Sequence, residues 1–178
     1  MLLFCLCLFR LATAQAPVLF STERGIINFK SDAPLEMISA QSDQLRGVIN
    51  PEKKTFAFKV FINSFKGFNS GLQREHFNEN YLESEQFQEA TFSGKIVENI
   101  NLLADGHYEV RAKGVLTIHG VEQERIIQSS VTVKDQKIYV ESSFSLELSE
   151  FNIKIPKVVH QKIASVIDVS ISAELKKR

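Results

Sequence analysis

From Gly25 to the C-terminus, apolar and polar residues alternate with a period of two, the pattern of β-strands that bury one face. It is clearest from Tyr108 to Ile118. There Tyr108, Val110, Ala112, Leu116 and Ile118 share one face, and Glu109, Arg111, Lys113 and Thr117 share the other. Ile138, Val140, Phe144, Leu146 and Leu148 repeat the alternation, as do Ile167, Val169, Ile171, Ala173 and Leu175. Phe56, Phe58, Val60 and Ile62 predict another strand, and shorter ones are predicted at residues 25–30, 35–40, 44–50, 91–99 and 125–133. Together they approach the eight strands of a small closed barrel.

Polar breaks at Asn50-Pro51, Ala104-Asp105-Gly106 and Lys134-Asp135-Gln136 join neighbouring runs as hairpins. Connections this short leave no room for crossover helices, so the sheet is expected to be antiparallel. Two segments differ. Residues 73–84 are polar and helix-tolerant, and at 156–163 Pro156 suits a first helical turn. One or two short helices are expected there, outside the barrel or across its end. No repeat, linker or charge run marks a second domain, so residues 15–178 read as one.

Phenylalanine is unevenly placed, with eight of the fourteen between Phe56 and Phe92. Packing into a solid core is one reading. The other is that some line an elongated cavity, because a barrel of about eight strands either fills with side chains or holds one apolar ligand. Periodicity alone leaves both open.

Composition narrows the class. Hydrophobic residues at 44% and charged residues at 24% exclude disordered and multi-span membrane chains. With 21 basic against 21 acidic residues there is no polyanion-binding surface, and nucleic acid is not an expected partner. Residues 1–14, MLLFCLCLFRLATA, form an apolar run ending in Ala12-Thr13-Ala14, an A-x-A cleavage signature, and read as a secretory signal. The run is shorter than the roughly 20 residues of a membrane-spanning helix, so no stable membrane anchor is expected. Cys5 and Cys7 both lie within it, so a processed chain would contain no cysteine for disulfide, zinc-thiolate or nucleophile chemistry.

The stretch Gly114-Val115-Leu116-Thr117-Ile118-His119-Gly120-Val121 resembles the G-x-L-T-I-H-G-V-T hairpin of YceI-like, polyisoprenoid-binding proteins. Phe87-Gln88-Glu89-Ala90-Thr91-Phe92-Ser93-Gly94-Lys95-Ile96 is similar to the family's loop leading into a-T-F-x-g/s-x-I, and the segment from Glu75 to Ser84 to the loop or short helix before it. Ser149-Glu150-Phe151-Asn152-Ile153 stands where the family usually reads S-D-F-G-I. Order and spacing of the four blocks fit across residues 25–175. Glu122-Gln123 replaces the usual Thr-Lys, and Glu150 and Asn152 replace Asp and Gly. The resemblance implies an all-β, extended, lipocalin-like antiparallel barrel whose interior accepts a long isoprenoid or similar amphiphile, in a bacterial periplasm. With strand parity it yields a candidate lining of Phe56, Phe58, Val60, Phe92, Leu116, Ile118, Phe144, Leu146, Phe151 and Ile153.

Catalytic and metal motifs are sparse. Glu75, His76, Glu79 and Glu83 share i, i+4 spacing and are the best metal candidate, though a solvated helix face is the default for such a pattern. His119 lies between Thr117 and Glu122 at a strand end, where hydrogen bonding that fixes the turn is its expected task. No G-x-S-x-G elbow, phosphate-cradling loop or dinucleotide fingerprint occurs. No cofactor is implied. The expectation is therefore a carrier or sequestering protein for a long-chain lipid. Its alternatives are a filled barrel that serves as an interaction module through residues 74–84, and a hydrolase or isomerase built on polar groups inside the lumen. Oligomeric state stays open, a homodimer included.

Overall fold

A computed structural model describes residues 17–178. The proposed secretory signal at residues 1–14, with Cys5 and Cys7, lies outside the described residues. Eight strands run in chain order around one closed antiparallel barrel. They are β1 (Phe20–Asp32), β2 (Met37–Asn50), β3 (Thr55–Phe61), β4 (Glu89–Ile96), β5 (Gly106–Ile118), β6 (Val121–Lys134), β7 (Lys137–Glu147) and β8 (Val166–Lys177). β8 closes on β1, with Phe20 opposite Lys177 and Lys30 opposite Asp168. Every strand thus has two neighbours, and no edge is left to pair with another chain. Among the described residues no helix is long and apolar enough to cross a membrane.

The two short strands expected at residues 35–40 and 44–50 are one strand, β2. Its alternation slips at Asp43 and Gln44, which are both exposed, while Ser42 before them and Leu45 after them are both buried. A register irregularity in β1 around Gly25 accommodates the slip. Ser42 broke the apolar pattern without breaking the strand, because its buried hydroxyl is satisfied by the Ser64 hydroxyl at 2.6 Å.

β4 begins two residues earlier and ends three earlier than the expected 91–99. Past Ile96 the Glu98 side chain takes over the ladder: Oε2 accepts from the Arg111 backbone N–H at 2.7 Å and Oε1 from Arg111 Nε at 2.8 Å. Of the two helical segments expected, only the first forms an α-helix, α1 (Gly71–His76), which runs into a π-turn (Phe77–Tyr81). At residues 156–163 there is a single 3-10 turn, Lys157–Val159, before which Pro156 is extended. Two consecutive valines and so short a segment do not sustain a longer helix.

The turns follow local chemistry. β5 joins β6 through His119-Gly120 at φ 51° and 71°, and β6 joins β7 through Asp135-Gln136 at φ 52° and 57°, so both are two-residue hairpins with left-handed central residues. Between β4 and β5 the sheet admits only glycine. Gly94 and Gly114 lie opposite one another, and a Cβ on Gly114 would stand 2.2 Å from the Ser93 carbonyl oxygen.

The barrel's two ends differ. At one, Leu102 from the β4–β5 connection packs among Phe20, Val133, Ile138 and Leu175, all fully buried. That end is solid. At the other lie the β1–β2 turn, the long β3–β4 connection carrying α1, and the β7–β8 connection with its 3-10 turns Leu148–Phe151 and Lys157–Val159.

Candidate functional site

Between the solid end and these connections the interior is hollow, with a cavity of about 490 Å³. All ten residues of the sequence-derived lining stand on its wall: Phe56, Phe58 and Val60 on β3, Phe92 on β4, Leu116 and Ile118 on β5, Phe144 and Leu146 on β7, and Phe151 and Ile153 on the connection after β7. Phe56 packs against Phe92 at 4.9 Å between ring centroids. The Phe58 ring lies over Gly47 of β2, where a Cβ would come within 2.3 Å of it. That glycine is what lets a phenylalanine lie flat against the wall.

A second aromatic group was not identified from sequence. Phe29 stacks on Phe77 at 5.2 Å and 12°, and Phe65 and Phe68 pack around both at 5.1–5.9 Å. All four line the cavity. Phe65, Phe68 and Phe77 come from the aperiodic β3–β4 connection, where parity says nothing; the density of phenylalanine between residues 56 and 92 was the available signal.

Polar groups are few and placed in two levels. Midway down, the Ser129 and Ser142 hydroxyls lie 2.5 Å apart across β6 and β7 and satisfy each other. No histidine or carboxylate among the described residues is hydrogen-bonded to either, so neither hydroxyl has a base to activate it. Glu36, Gln73, His76 and Lys162 also line the cavity, at the end carrying α1 and the β7–β8 connection, and there the cavity meets solvent. Tyr81 lines it as well, and burial pushes its phenol above the usual range, so it stays neutral at neutral pH.

The walls of this opening are tied together. Ser70 caps α1 by accepting from Gln73 N–H at 3.1 Å, and the Gln73 amide donates to Glu36 Oε1 at 2.6 Å. His119 Nδ1 donates to the Phe151 carbonyl oxygen at 3.1 Å, and its Nε2 lies 2.6 Å from Glu83 Oε2, with the Phe87 ring edge-on at 4.5 Å. His119 therefore clasps two connections, β3–β4 and β7–β8, to the β5–β6 turn in which it sits. This takes Glu83 away from the metal candidate at Glu75, His76 and Glu79. Among the described residues no three His, Cys, Asp or Glu side chains form a group that could hold a metal.

The departures from the family pattern meet in space. Gln123 Nε2 donates to the Glu150 carbonyl at 2.9 Å, and Arg125 pairs with the Glu150 carboxylate. Together they lock β6 to the turn that carries Phe151. Asn152, where the family usually has glycine, sits at φ 58°, a conformation asparagine adopts more readily than most residues.

A closed antiparallel barrel, solid at one end and hollow toward the other, with an apolar lumen and a polar rim, has the form of a calyx. The sequence model of the YceI-like domain matches residues 14–175, and the chain belongs to that family. Solved structures agree on the fold. A polyisoprenoid-binding domain from Saccharophagus degradans, described as implicated in plant cell wall breakdown, superposes with a TM-score of 0.73 at 14% identity, covering 92% of this chain and 100% of its own. BcnA of Burkholderia cenocepacia gives 0.68 at 13% identity, covering 85% and 95%. The YceI protein of Campylobacter jejuni gives 0.56 at 13% identity, covering 96% and 90%. No curated protein sequence matches the chain.

Proposed function

We propose that the protein binds a long-chain amphiphilic lipid, of the polyisoprenoid kind or similar, and carries or sequesters it in the barrel lumen without chemical change. One observation carries this reading: a cavity of about 490 Å³, walled almost wholly by aliphatic and phenylalanine side chains and closed at one end. Water gains little in such a space and a hydrocarbon chain gains much. Burying about ten methylenes at roughly 0.8 kcal/mol each contributes on the order of 8 kcal/mol, the scale of a micromolar dissociation constant before ordering costs. The rim supplies hydrogen-bonding groups for a polar head, as amphiphile sites do. The family and the polyisoprenoid-binding structural neighbour support the same ligand class. The apolar leader with its A-x-A sequence and a mature chain without cysteine support export, to the periplasm or beyond.

Mass spectrometry of an organic extract of the purified protein tests the proposal, with a stoichiometric long-chain lipid expected. Phe144→Asp places a carboxylate in the lumen with no partner. Phe144 is only half-buried, so the variant is expected to fold and to lose the lipid. A cooperatively folded Phe144→Asp protein with its full complement of lipid would refute binding in the lumen.

A further inference from the structure

The open end of the barrel carries exposed apolar side chains. Leu35 in the β1–β2 turn is 67% exposed, Leu72 on α1 59% and Val158 in the β7–β8 connection 89%. Isolated exposed hydrophobes are ordinary, but these sit on three segments that are bound to one another. Leu35 N–H donates to the Gln161 carbonyl at 2.9 Å, and the Gln73 amide donates to Glu36. Their chain neighbours Glu36, Gln73 and Val159 line the cavity, so the exposed side chains form a collar around its opening.

Charge gives the collar a sign. From Phe151 to Ile167 the chain carries Lys154, Lys157 and Lys162 and neither Asp nor Glu. Among the described residues none of these lysines is ion-paired, whereas at the same end Asp32 pairs with Lys30; Glu36, hydrogen-bonded to the neutral Gln73 amide, keeps its charge. The acids that oppose this field are Glu75, Glu79, Glu83 and Glu85 in the β3–β4 connection, and Glu147, Glu150 and Asp168 flanking the lysine run; of these Glu83 is held by His119 and Glu150 by Arg125. Apolar tips beside unpaired lysines on long stems match the layering of an anionic bilayer surface, hydrocarbon below and phosphate above.

We propose that this collar docks on an anionic lipid bilayer and sets the opening of the lumen against the acyl phase, so that a hydrocarbon chain passes between the two without crossing water. The inference rests on the lumen being a lipid site. Removing one lysine charge near such a surface weakens binding about fivefold, and removing one inserted aliphatic side chain about tenfold.

Flotation with phosphatidylcholine vesicles containing about 30% phosphatidylglycerol, against pure phosphatidylcholine, tests this by the charge dependence of surface binding. The variants are Lys154→Gln/Lys157→Gln and Leu35→Ser/Val158→Ser, none of which touches the cavity wall. Wild type is expected to float with the anionic vesicles and to release in high salt. The lysine pair is expected to bind about twentyfold more weakly, and the apolar pair about a hundredfold. Both variants should still take up a fluorescent long-chain amphiphile from detergent solution as wild type does. Failure of wild type to bind anionic vesicles, or variants that bind like wild type, would overturn the docking surface, including the case in which the collar meets a protein instead. Vesicle binding without amphiphile uptake would leave the docking surface standing and remove the lumen as a lipid site.

Discussion

Two alanine-to-leucine substitutions on the same barrel are expected to act with opposite sign. Ala112 on β5 is buried between Ile96 of β4 and Ile127 of β6 and stands on the cavity wall. Leucine there would extend three more carbons into empty apolar space, worth about 2 kcal/mol at roughly 0.8 per carbon. Rotamer strain takes back up to about 1 kcal/mol, leaving 1–2 kcal/mol of stabilisation. For a chain of this size that raises Tm by about 4 °C. The same carbons occupy room for about three methylenes of ligand, so affinity falls by about 2 kcal/mol, or roughly thirtyfold. Ala173 on β8 is equally buried but lies at the packed end and off the cavity wall, 3.1 Å from the position a Cβ would take on Gly25. Leucine there overpacks and costs about 1–3 kcal/mol. Thermal unfolding followed by circular dichroism on delipidated protein, paired with displacement of a fluorescent long-chain amphiphile, reads both quantities. Delipidation matters because bound ligand itself raises Tm. If Ala112→Leu lowered Tm and left affinity unchanged, the lumen beside Ala112 would be neither empty nor on the ligand's path.

Other consequences follow from particular contacts. Gly114→Ala drives a methyl into the Ser93 carbonyl of β4 and should cost about 3 kcal/mol or more, seen as a large fall in the denaturant midpoint. His119→Asn keeps a residue that tolerates the left-handed turn but removes the bridge to Glu83 and Phe151; a loss of about 1–2 kcal/mol is expected. Hydrogen exchange should then quicken in residues 77–88 and 148–153, and a cycle with Glu83→Gln should be non-additive. Arg111 beside Glu98 and Lys137 beside Glu174 hold both carboxyls below their usual range. Their contribution is complete above the ordinary carboxylate pKa and is lost as pH falls through the depressed values, so Glu98→Gln should lower stability near neutrality and flatten the acid limb of the stability–pH curve, the two curves converging at low pH.

Strand identity was legible because one buried face imposes a period of two, and for the same reason the inward residues of β3, β5 and β7 could be named in advance. Legibility failed where a polar side chain faces inward. Ser42 made β2 look like two strands, and Ser129 and Ser142 were not named among the lining residues, because a hydroxyl satisfied by another hydroxyl leaves no trace in hydropathy. It failed again in the connections. Phe65, Phe68 and Phe77 reach the cavity through a 27-residue excursion whose path depends on tertiary bonds such as Gln73 to Glu36 and Arg74 to Asn63. The closed end was equally hidden, since nothing local distinguishes Leu102, which plugs it, from exposed Leu103 beside it.

The seam between β1 and β8 brings the C-terminus to the packed pole, where the Arg178 amide donates to the Leu19 carbonyl at 2.8 Å. A tether or fluorescent partner fused after Arg178 would therefore stand on the far side of the molecule from where cargo passes. Molecules grafted to a support by the C-terminus would all present their rims outward, so loading and release can be timed on an oriented layer.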